Sequence, residues 1–158
     1  MNAITRTERA EFDAPKVTFT LNGRQVTARS TDTLLEIADQ EGIEIPRLCY
    51  MPGMDAVGNC RSCMVEIKGE RVLAASCCRT PQAGMQVTTD SERARKSQAM
   101  VLEMLQSDMP EKQYTRHSEL DDWSARLDIG KPRFAPRPAV APDLTHAGIA
   151  VNLDACIQ

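Results

Sequence analysis

Five of the six cysteines of this chain lie within thirty residues, from Cys49 to Cys78. Ten residues separate Cys49 from Cys60, two separate Cys60 from Cys63, and thirteen separate Cys63 from Cys77, which Cys78 follows directly. A Cys-x-x-Cys pair lets two thiolates of one tight loop reach the same metal centre, and Cys49 and Cys77 would complete a set of four from the flanking segments. Four thiolates suit either a zinc ion or an iron–sulfur cluster.

Other uses of clustered cysteines fit this chain less well. The first fifteen residues hold no apolar stretch of the kind that an export signal needs, so we expect a reducing, cytoplasmic compartment, where thiols seldom pair as structural disulfides. Inert buried cysteines would be scattered along the chain. Structural zinc sites more often combine two short Cys-x-x-Cys loops, and this sequence has one. The spacing therefore favours an iron–sulfur cluster and leaves a zinc-stabilised interaction module as the alternative.

Length and charge limit the remaining functions. A chain of 158 residues has room for one domain of about 100 residues with an appendage. Its 19 Lys and Arg against 22 Asp and Glu give a formal net charge of -3, whereas a nucleic-acid-binding protein is expected to carry a basic surplus. No apolar run approaches the roughly 18 residues of a membrane span. We therefore expect no nucleic-acid partner and no membrane span.

The segments around the cysteines predict a small α+β domain. Asn22-Gly23 is a strong hairpin-turn signal, because both central residues of such a turn adopt positive φ. Thr33 and Glu36 form a capping box at the start of a short helix. Strand patterns occur at 17–21, 24–28, 64–67, 71–75 and 84–88. The prediction is a sheet with one helix packed on it and a long cysteine-bearing loop between them.

This order of hairpin, helix, cysteine loop and strands resembles the β-grasp [2Fe-2S] ferredoxin fold. The resemblance is carried by Ile-Pro-Arg-Leu-Cys ending at Cys49, by Gly-Asn-Cys-Arg-Ser-Cys-Met-Val-Glu-Ile starting at Gly58, and by Ala-Ser-Cys ending at Cys77. These segments resemble the N-terminal region of molybdenum- or tungsten-dependent formate dehydrogenase alpha subunits and of the large iron–sulfur subunit of NADH-quinone oxidoreductase. That branch shares the ten-residue first gap, and the resemblance covers roughly residues 17–106.

The resemblance implies a [2Fe-2S] cluster with Cys49, Cys60, Cys63 and Cys77 as its ligands. Cys77 and Cys78 are neighbours, and in an extended segment neighbouring side chains point to opposite sides, so one of the two is expected to face the cluster. The family pattern Ser-Cys-x-x-x-Pro selects Cys77 and leaves Cys78 as a packed free thiol.

Two arginines flank the predicted ligands. Four thiolates and a diferric core carry a net charge of about -2, and burying that charge requires hydrogen-bond donors. A glycine-rich loop in which Gly58 permits close approach brings backbone N–H groups to the sulfur atoms. Arg47 and Arg61 either add positive potential nearby or are ordinary surface residues.

The segment after the ferredoxin-like part departs from the family. Thr89 and Glu92 predict a second capping box and a helix. In the NADH-quinone oxidoreductase branch this helix leads to a second cluster held by one His and three Cys. The four corresponding positions here are Leu105, Met109, Lys112 and Ser118. None is a thiol or an imidazole, so we expect this second cluster to be absent and the neighbouring His117 not to be a ligand.

These observations predict five segments. They are a flexible N-terminus (1–15), a β-grasp [2Fe-2S] ferredoxin-like domain (16–90), a helical segment with a vacated second-cluster site (91–130), a Pro-rich linker (131–148) and the truncated start of a two-[4Fe-4S] ferredoxin domain (149–158). The last assignment follows from the resemblance of the segment around Cys156 to the start of such a domain in the alpha subunits. Trp123, the single tryptophan, is expected to anchor against a neighbouring domain or subunit.

The resemblance implies an electron relay without a catalytic pocket or catalytic residues of its own. It would pass single electrons between formate oxidation and an NAD-reducing partner. Its partners would be the rest of the alpha subunit, with a molybdenum or tungsten pterin and [4Fe-4S] clusters, and a flavin- and NAD-binding subunit. The missing second-cluster ligands favour formate dehydrogenase over the equivalent subunit of NADH-quinone oxidoreductase or of an NAD-linked hydrogenase.

Overall fold

The computed structural model of the chain describes residues 14–109, 118–138 and 140–152. The chain divides into two compact units between Ser97 and Gln98. The predicted flexibility of the first thirteen residues, and the predictions for Lys112, His117 and Cys156, lie outside the described residues.

The first unit contains a five-stranded mixed sheet and a short helix. Its elements are β1 (Lys16–Leu21), β2 (Arg24–Arg29), α1 (Leu34–Gln40), β3 (Met64–Ile67), β4 (Ala74–Ala75) and β5 (Gln86–Thr88). The strand order is β2-β1-β5-β3-β4, in which β1 and β5 are parallel and the other neighbours are antiparallel. The predicted α+β, ferredoxin-like class is confirmed.

Two local signals in the sequence form the predicted structures. Asn22 and Gly23 have φ of 48° and 80° and connect β1 to β2 as a two-residue turn, whose twist matches that of the strands. At the start of α1 the Thr33 hydroxyl accepts the Glu36 N–H (3.2 Å), and the Glu36 carboxylate accepts the Thr33 N–H (2.8 Å). The capping box is therefore complete.

The sheet and α1 enclose one hydrophobic core that includes two of the cysteines. Most of its residues are aliphatic, and Phe19 is the aromatic residue among its fully buried side chains in the described part of the chain. Cys63 and Cys77 belong to this core, with 2% and 1% of their surface exposed. The cysteine-bearing loop is thus continuous with the packing that stabilises the sheet.

The predicted second capping box is wrong. Helix α2 (Glu92–Ser107) is capped by Ser91, whose hydroxyl accepts the Ala94 N–H (3.1 Å). Thr89 is engaged elsewhere: its hydroxyl accepts a hydrogen bond from the Asn22 side chain (2.7 Å), and its N–H donates to the Asn22 carbonyl oxygen Oδ1 (2.8 Å). A long-range contact with the hairpin turn has taken the place of the local cap.

The second unit comprises the end of α2, helix α3 (Glu119–Arg126) and the antiparallel pair β6 (Asp143–His146) and β7 (Ile149–Val151). Strand β6 lies inside the segment predicted as a linker, and β7 lies inside the segment predicted as the start of a further domain. The five-segment division remains a prediction. No helix in the described ranges has the length and apolar character needed to cross a membrane.

One ion pair attaches the proline-rich segment to α2. The Glu103 carboxylate accepts hydrogen bonds from the Arg133 backbone N–H (2.9 Å), from its Nε (2.7 Å) and from its Nη2 (2.7 Å). These bonds lower the pKa of Glu103 to about 2. The segment around Arg133 is therefore held along the helix as a strap.

Candidate metal centre

The four predicted ligands come from three places in the first unit. Cys49 and Cys60 lie in the loop between α1 and β3, Cys63 immediately precedes β3, and Cys77 follows β4 by two residues. Cys49 and Cys60 are half-buried, whereas Cys63 and Cys77 are buried. Cys78 is exposed.

The thiols of the first unit lie near one another. The Cys60 backbone N–H donates to the Cys49 Sγ (3.4 Å), and we refer to these two residues as the first pair. Cys63 and Cys77, the second pair, are buried in the same hydrophobic core, and the Cys77 Sγ lies 3.5 Å from the Cys78 Sγ. Within the described residues, no three or more His, Cys, Asp or Glu side chains form a group that could hold a single ion. Four thiols are the donor set of a binuclear cluster, in which four cysteines are shared by two irons.

The environment acts differently on the two thiols of the first pair. Burial raises the pKa of Cys49, although the backbone N–H groups of Cys60 and Asn59 act in the opposite direction. Burial also acts to raise the pKa of Cys60, but hydrogen bonds from the side chain and backbone of Ser62 and from Cys49 outweigh it, so that this pKa is lowered. N–H and O–H donors aimed at the ligand sulfur atoms tune an iron–sulfur site.

The second pair has a more apolar environment. Burial, followed by the neighbouring Cys63 and Cys78 thiols, raises the pKa of Cys77 well above its ordinary value. An iron ligand must be a thiolate, so metal binding at this pair would release protons that the metal-free protein holds. The fold therefore favours the neutral thiol here until a metal centre is bound.

Two serines beside the ligands were not singled out by the sequence analysis. Ser62 is fully buried, and its hydroxyl lies 3.1 Å from the Cys60 Sγ. Ser76 is fully buried as well, and both its N–H (3.1 Å) and its hydroxyl (2.8 Å) donate to the Cys63 carbonyl oxygen. A serine next to a cysteine is too common for the sequence to have revealed this role.

The loop is closely packed against Cys78. Gly58 has φ of +60°, and a Cβ atom at this position would lie 2.7 Å from the Cys78 Sγ. The same sulfur lies 3.5 Å from the Cys77 Sγ. Gly58 is therefore needed both for its backbone conformation and for the space that it leaves.

The two arginines proposed to supply positive potential have different environments. Arg47 forms a bidentate ion pair with Asp39 of α1 and lies over the Tyr50 ring, with its guanidinium carbon 5.9 Å from the ring centroid. Its charge is therefore matched by a carboxylate. Arg61 is exposed and has φ of 58°, in the left-handed region within the Cys-x-x-Cys turn. Its electrostatic effect stays a prediction.

The described positions of the vacated second-cluster site belong to ordinary helical structure. Leu105 lies on α2, and Met109 follows the end of that helix. Ser118 is the N-cap of α3, where its hydroxyl accepts the Asp121 N–H (3.2 Å). Ser118 therefore has a structural role, and the absence of the second cluster stays a prediction.

Comparison with known proteins decides the family. Residues 14–92, half of the chain, match the family described as a 2Fe-2S iron-sulfur cluster binding domain. The chain belongs to this family. Its cofactor is a [2Fe-2S] cluster, which decides between the zinc and iron–sulfur alternatives left open by the cysteine spacing. This 2Fe-2S domain is accordingly an electron-transfer module of an oxidoreductase.

Relatives of the 2Fe-2S domain include subunits of large oxidoreductases. It is 39% identical over 95 residues to the mitochondrial NADH-ubiquinone oxidoreductase 78 kDa subunit of Candida albicans, covering 60% of this chain and 13% of that subunit. It is 29% identical over 94 residues to a putative formate dehydrogenase of Bacillus subtilis, covering 60% of this chain and 9% of that protein. The chain thus spans a small fraction of the curated relatives it matches.

A solved structure extends the similarity beyond the family match. The crystal structure of an NAD+-reducing [NiFe]-hydrogenase in the H2-reduced state matches with a TM-score of 0.72 and 31% identity. The match covers 83% of this chain and 57% of the hydrogenase chain. The fold predicted from the sequence therefore agrees with that of an experimentally solved relative.

Proposed function

We propose that Cys49 and Cys60 bind one iron of the [2Fe-2S] cluster and that Cys63 and Cys77 bind the other. The observation that carries this proposal is the hydrogen bond from the Cys60 N–H to the Cys49 Sγ (3.4 Å), together with the burial of Cys63 and Cys77 in one hydrophobic core. In this proposal Cys78 is not a ligand: its Sγ lies 3.5 Å from the Cys77 Sγ, but Cys78 is exposed, whereas Cys77 is buried in the core with Cys63.

The two ligand pairs have different tasks in this proposal. A bound [2Fe-2S] cluster supplies one-electron exchange. The buried Cys63 and Cys77 belong to the hydrophobic core and shield the site from water. The half-buried Cys49 and Cys60 lie in the loop that presents the site to a redox partner, where donors from Asn59 and Ser62 stabilise the thiolates.

We further propose that the domain belongs to an NAD-linked formate dehydrogenase alpha subunit in the cytoplasm. It would relay single electrons between formate oxidation at a molybdenum or tungsten pterin, by way of [4Fe-4S] clusters, and a flavin- and NAD-binding subunit. Similarity to a putative formate dehydrogenase supports this assignment. So does the replacement of all four second-cluster ligands, at Leu105, Met109, Lys112 and Ser118.

The test uses the native complex, purified anaerobically through a tag on this chain. Formate, H2 and NADH are added separately, and reduction of the [2Fe-2S] centre is followed by electron paramagnetic resonance (EPR). We expect formate to produce the signal and H2 to leave it unchanged, with NADH as the control for a competent cluster. The same complex carrying Cys60→Ser identifies the signal of this centre, because it should lack it. A signal that responds to H2, or to NADH and not to formate, contradicts the formate dehydrogenase assignment.

The second candidate is the equivalent iron–sulfur subunit of NADH-quinone oxidoreductase or of an NAD-linked hydrogenase. Higher identity to the 78 kDa subunit and the structural match to the hydrogenase favour it. The same experiment separates these candidates. Reduction of the centre by H2 indicates a hydrogenase. Reduction by NADH, but by neither formate nor H2, indicates NADH-quinone oxidoreductase.

A further inference from the structure

We propose that Glu36 and Asp39 of helix α1 are positioning residues that tether the segment carrying Cys49, so that this one helix aligns the two ligand pairs. The inference rests on the ligand set proposed above. It assigns a role in cluster retention to four side chains outside the proposed ligand set, those of Glu36, Asp39, Arg47 and Tyr50.

The start of α1 is attached to the segment that carries Cys77. The Leu34 N–H donates to the Arg79 carbonyl (2.8 Å), and the Leu35 N–H donates to the Ser76 carbonyl (3.1 Å). The first N–H groups of a helix have no partner within the helix itself. Here they bind the backbone on both sides of Cys77, which fixes the fourth ligand relative to the helix.

The outer side of α1 holds the segment that carries Cys49 by two contacts. The Tyr50 hydroxyl donates to the Glu36 Oε1 (3.1 Å), and the Arg47 Nη2 donates to the Asp39 Oδ1 (2.7 Å) within a bidentate pair. Arg47 also lies over the Tyr50 ring. The two contacts therefore lie on either side of Cys49 and support each other. Together they form what we term the Cys49 tether.

Glu36 connects the tether to the helix terminus. Its Oε2 accepts hydrogen bonds from the Thr33 N–H (2.8 Å) and hydroxyl (2.9 Å), while its Oε1 accepts the Tyr50 hydroxyl. One carboxylate thus caps the helix with one oxygen and holds the cluster loop with the other. A displacement of Tyr50 would therefore perturb the N-terminal end of α1, which also binds the backbone around Cys77.

The loop beyond Tyr50 provides little alternative support. Met51, Met54 and Val57 are 63%, 67% and 70% exposed, so their side chains do not anchor the loop in the core. Tyr50 is the partly buried residue that packs against the core between Cys49 and this exposed stretch. Ala56 packs against the core farther along the loop, and Ile45 is fully buried before Cys49. Between these two anchors, the tether holds the segment that carries Cys49 to α1. Partners that hydrogen-bond directly to a metal ligand typically contribute about 10- to 100-fold to metal affinity, and a tether on the ligand's segment is expected to act at the lower end of that range.

The test compares Tyr50→Phe, Asp39→Asn and the double variant in the full chain loaded with its cluster. Tyr50→Phe keeps the ring and removes the hydroxyl, and Asp39→Asn removes the charge that pairs with Arg47. The readouts are the rate of iron transfer to a ferrous chelator and the EPR g-values of the reduced protein. We expect each single change to accelerate iron loss a few-fold. The double change should accelerate it by about tenfold or more, beyond the product of the single effects, and shift the g-values.

Two controls separate positioning from general stability. Thr27→Val removes a hydroxyl that pairs with Thr18 in the β1–β2 hairpin. Arg95→Gln removes an exposed ion pair between Arg95 of α2 and Asp90, which precedes the helix. Both should leave iron loss and g-values as in the wild type. Glu36→Gln, which keeps the capping box and a partner for Tyr50, should retain the cluster better than Glu36→Ala. Melting of the metal-free forms gives the change in folding stability of each variant for comparison.

The outcomes distinguish this inference from the proposed function. Wild-type protein without iron and acid-labile sulfide contradicts the ligand set itself. A loaded wild type whose double variant keeps the wild-type iron-loss rate and g-values overturns the tether while leaving the ligand set intact. Iron loss that merely follows the melting temperature across tether and control variants also overturns it.

Discussion

At the residue scale, two of the predicted ligands contact a buried serine that is not a ligand. Cys60 has the Ser62 hydroxyl 3.1 Å from its sulfur, and Cys63 has its carbonyl held twice by Ser76. Cysteine supplies the sulfur, but the donors around it determine how readily the thiolate forms and is retained. Substitutions of the cysteines and of their neighbours should therefore differ sharply in their effects on cluster binding and on loop stability.

Replacing single cysteines tests the ligand set. Cys60→Ser should abolish the visible absorbance of the cluster, because it removes one of four thiolates. Cys78→Ser should leave the absorbance intact, since that thiol lies outside the proposed set. Absorbance, iron and sulfide contents of anaerobically purified variants provide the measurement. If Cys78→Ser bleaches the protein and Cys77→Ser does not, the fourth ligand is Cys78.

Gly58→Ala should destabilise the cluster loop by about 1–3 kcal/mol, because it combines left-handed backbone strain with a close contact to Cys78. In the background of Cys78→Ala the contact is absent, so the cost of Gly58→Ala should fall to about 1 kcal/mol of backbone strain. Denaturant unfolding of the four members of this cycle provides the measurement. An equal cost in both backgrounds would show that the Cys78 sulfur is not the obstacle.

At the scale of secondary-structure elements, two helices hold irregular segments in place: α1 holds the Cys49 segment, and α2 holds the strap that follows α3. Each uses a carboxylate to bind an arginine on the segment it holds: Asp39 binds Arg47, and Glu103 binds Arg133. Glu103 is 8% exposed, whereas the Arg133 side chain is 70% exposed, so the helix provides the fixed partner of the pair.

Glu103→Gln should release the strap. The change removes the charge that binds Arg133 through its backbone and side chain, so the segment should open more often. Limited trypsin digestion at neutral pH should then cleave after Arg133 several-fold faster than in the wild type. Arg95→Gln serves as the matched control, because it removes an ion pair of the same type that holds no strap. Unchanged cleavage in Glu103→Gln would contradict this role.

The strap should persist well into the acid range. Hydrogen bonds from Arg133 lower the pKa of Glu103 from 4.5 to about 2, so the pair contributes its full stability above the ordinary pKa and loses it as the pH falls through the lowered one. The Arg133 Nε–H resonance should therefore keep its position from pH 7 to pH 5 and move as the pH approaches 2. A midpoint near 4.5 would show that the pair does not form in solution.

At the scale of the whole molecule, the division into two compact units predicts an uneven response to cluster removal. Residues 16–90, the predicted cluster domain, lie within the first unit, and two proposed ligands are part of its hydrophobic core. Metal binding to such a site contributes directly to folding free energy. The aliphatic core of this unit should therefore be measurably less stable without its cluster.

Removing the cluster with a chelator should lower the melting temperature of the first unit. For a unit of about 60–100 residues, each 1 kcal/mol lost from the free energy of unfolding lowers the melting temperature by about 4–8 °C. Hydrogen exchange should rise around Cys49, Cys60 and Cys77 and change little in α3. Equal loss of protection in α3 would show that the two units unfold together.

Much of the chemistry follows from the sequence because its signals are local. The Cys-x-x-Cys pair, the Asn22-Gly23 turn and the Thr33–Glu36 capping box each involve residues within four positions of one another, and their geometry follows from backbone preferences and short-range hydrogen bonds. Together with the flanking cysteines and the family resemblance, these signals predicted a [2Fe-2S] cluster and a ferredoxin-like fold. The residues around Thr89 matched the capping-box pattern equally well, but Thr89 hydrogen-bonds to the distant Asn22 instead of capping α2.

The tertiary structure decided which distant residues meet. It brings Asn22 to Thr89 across 67 positions, Arg133 to Glu103 across 30 and Tyr50 to Glu36 across 14. The sequence by itself determined that the chain carries the thiols of an iron–sulfur site on an α+β scaffold. Only the fold decided which side chains lie beside those thiols and which carboxylates contact the segments that carry them, because such contacts depend on where the sheet and helices place side chains that have no local pattern in common.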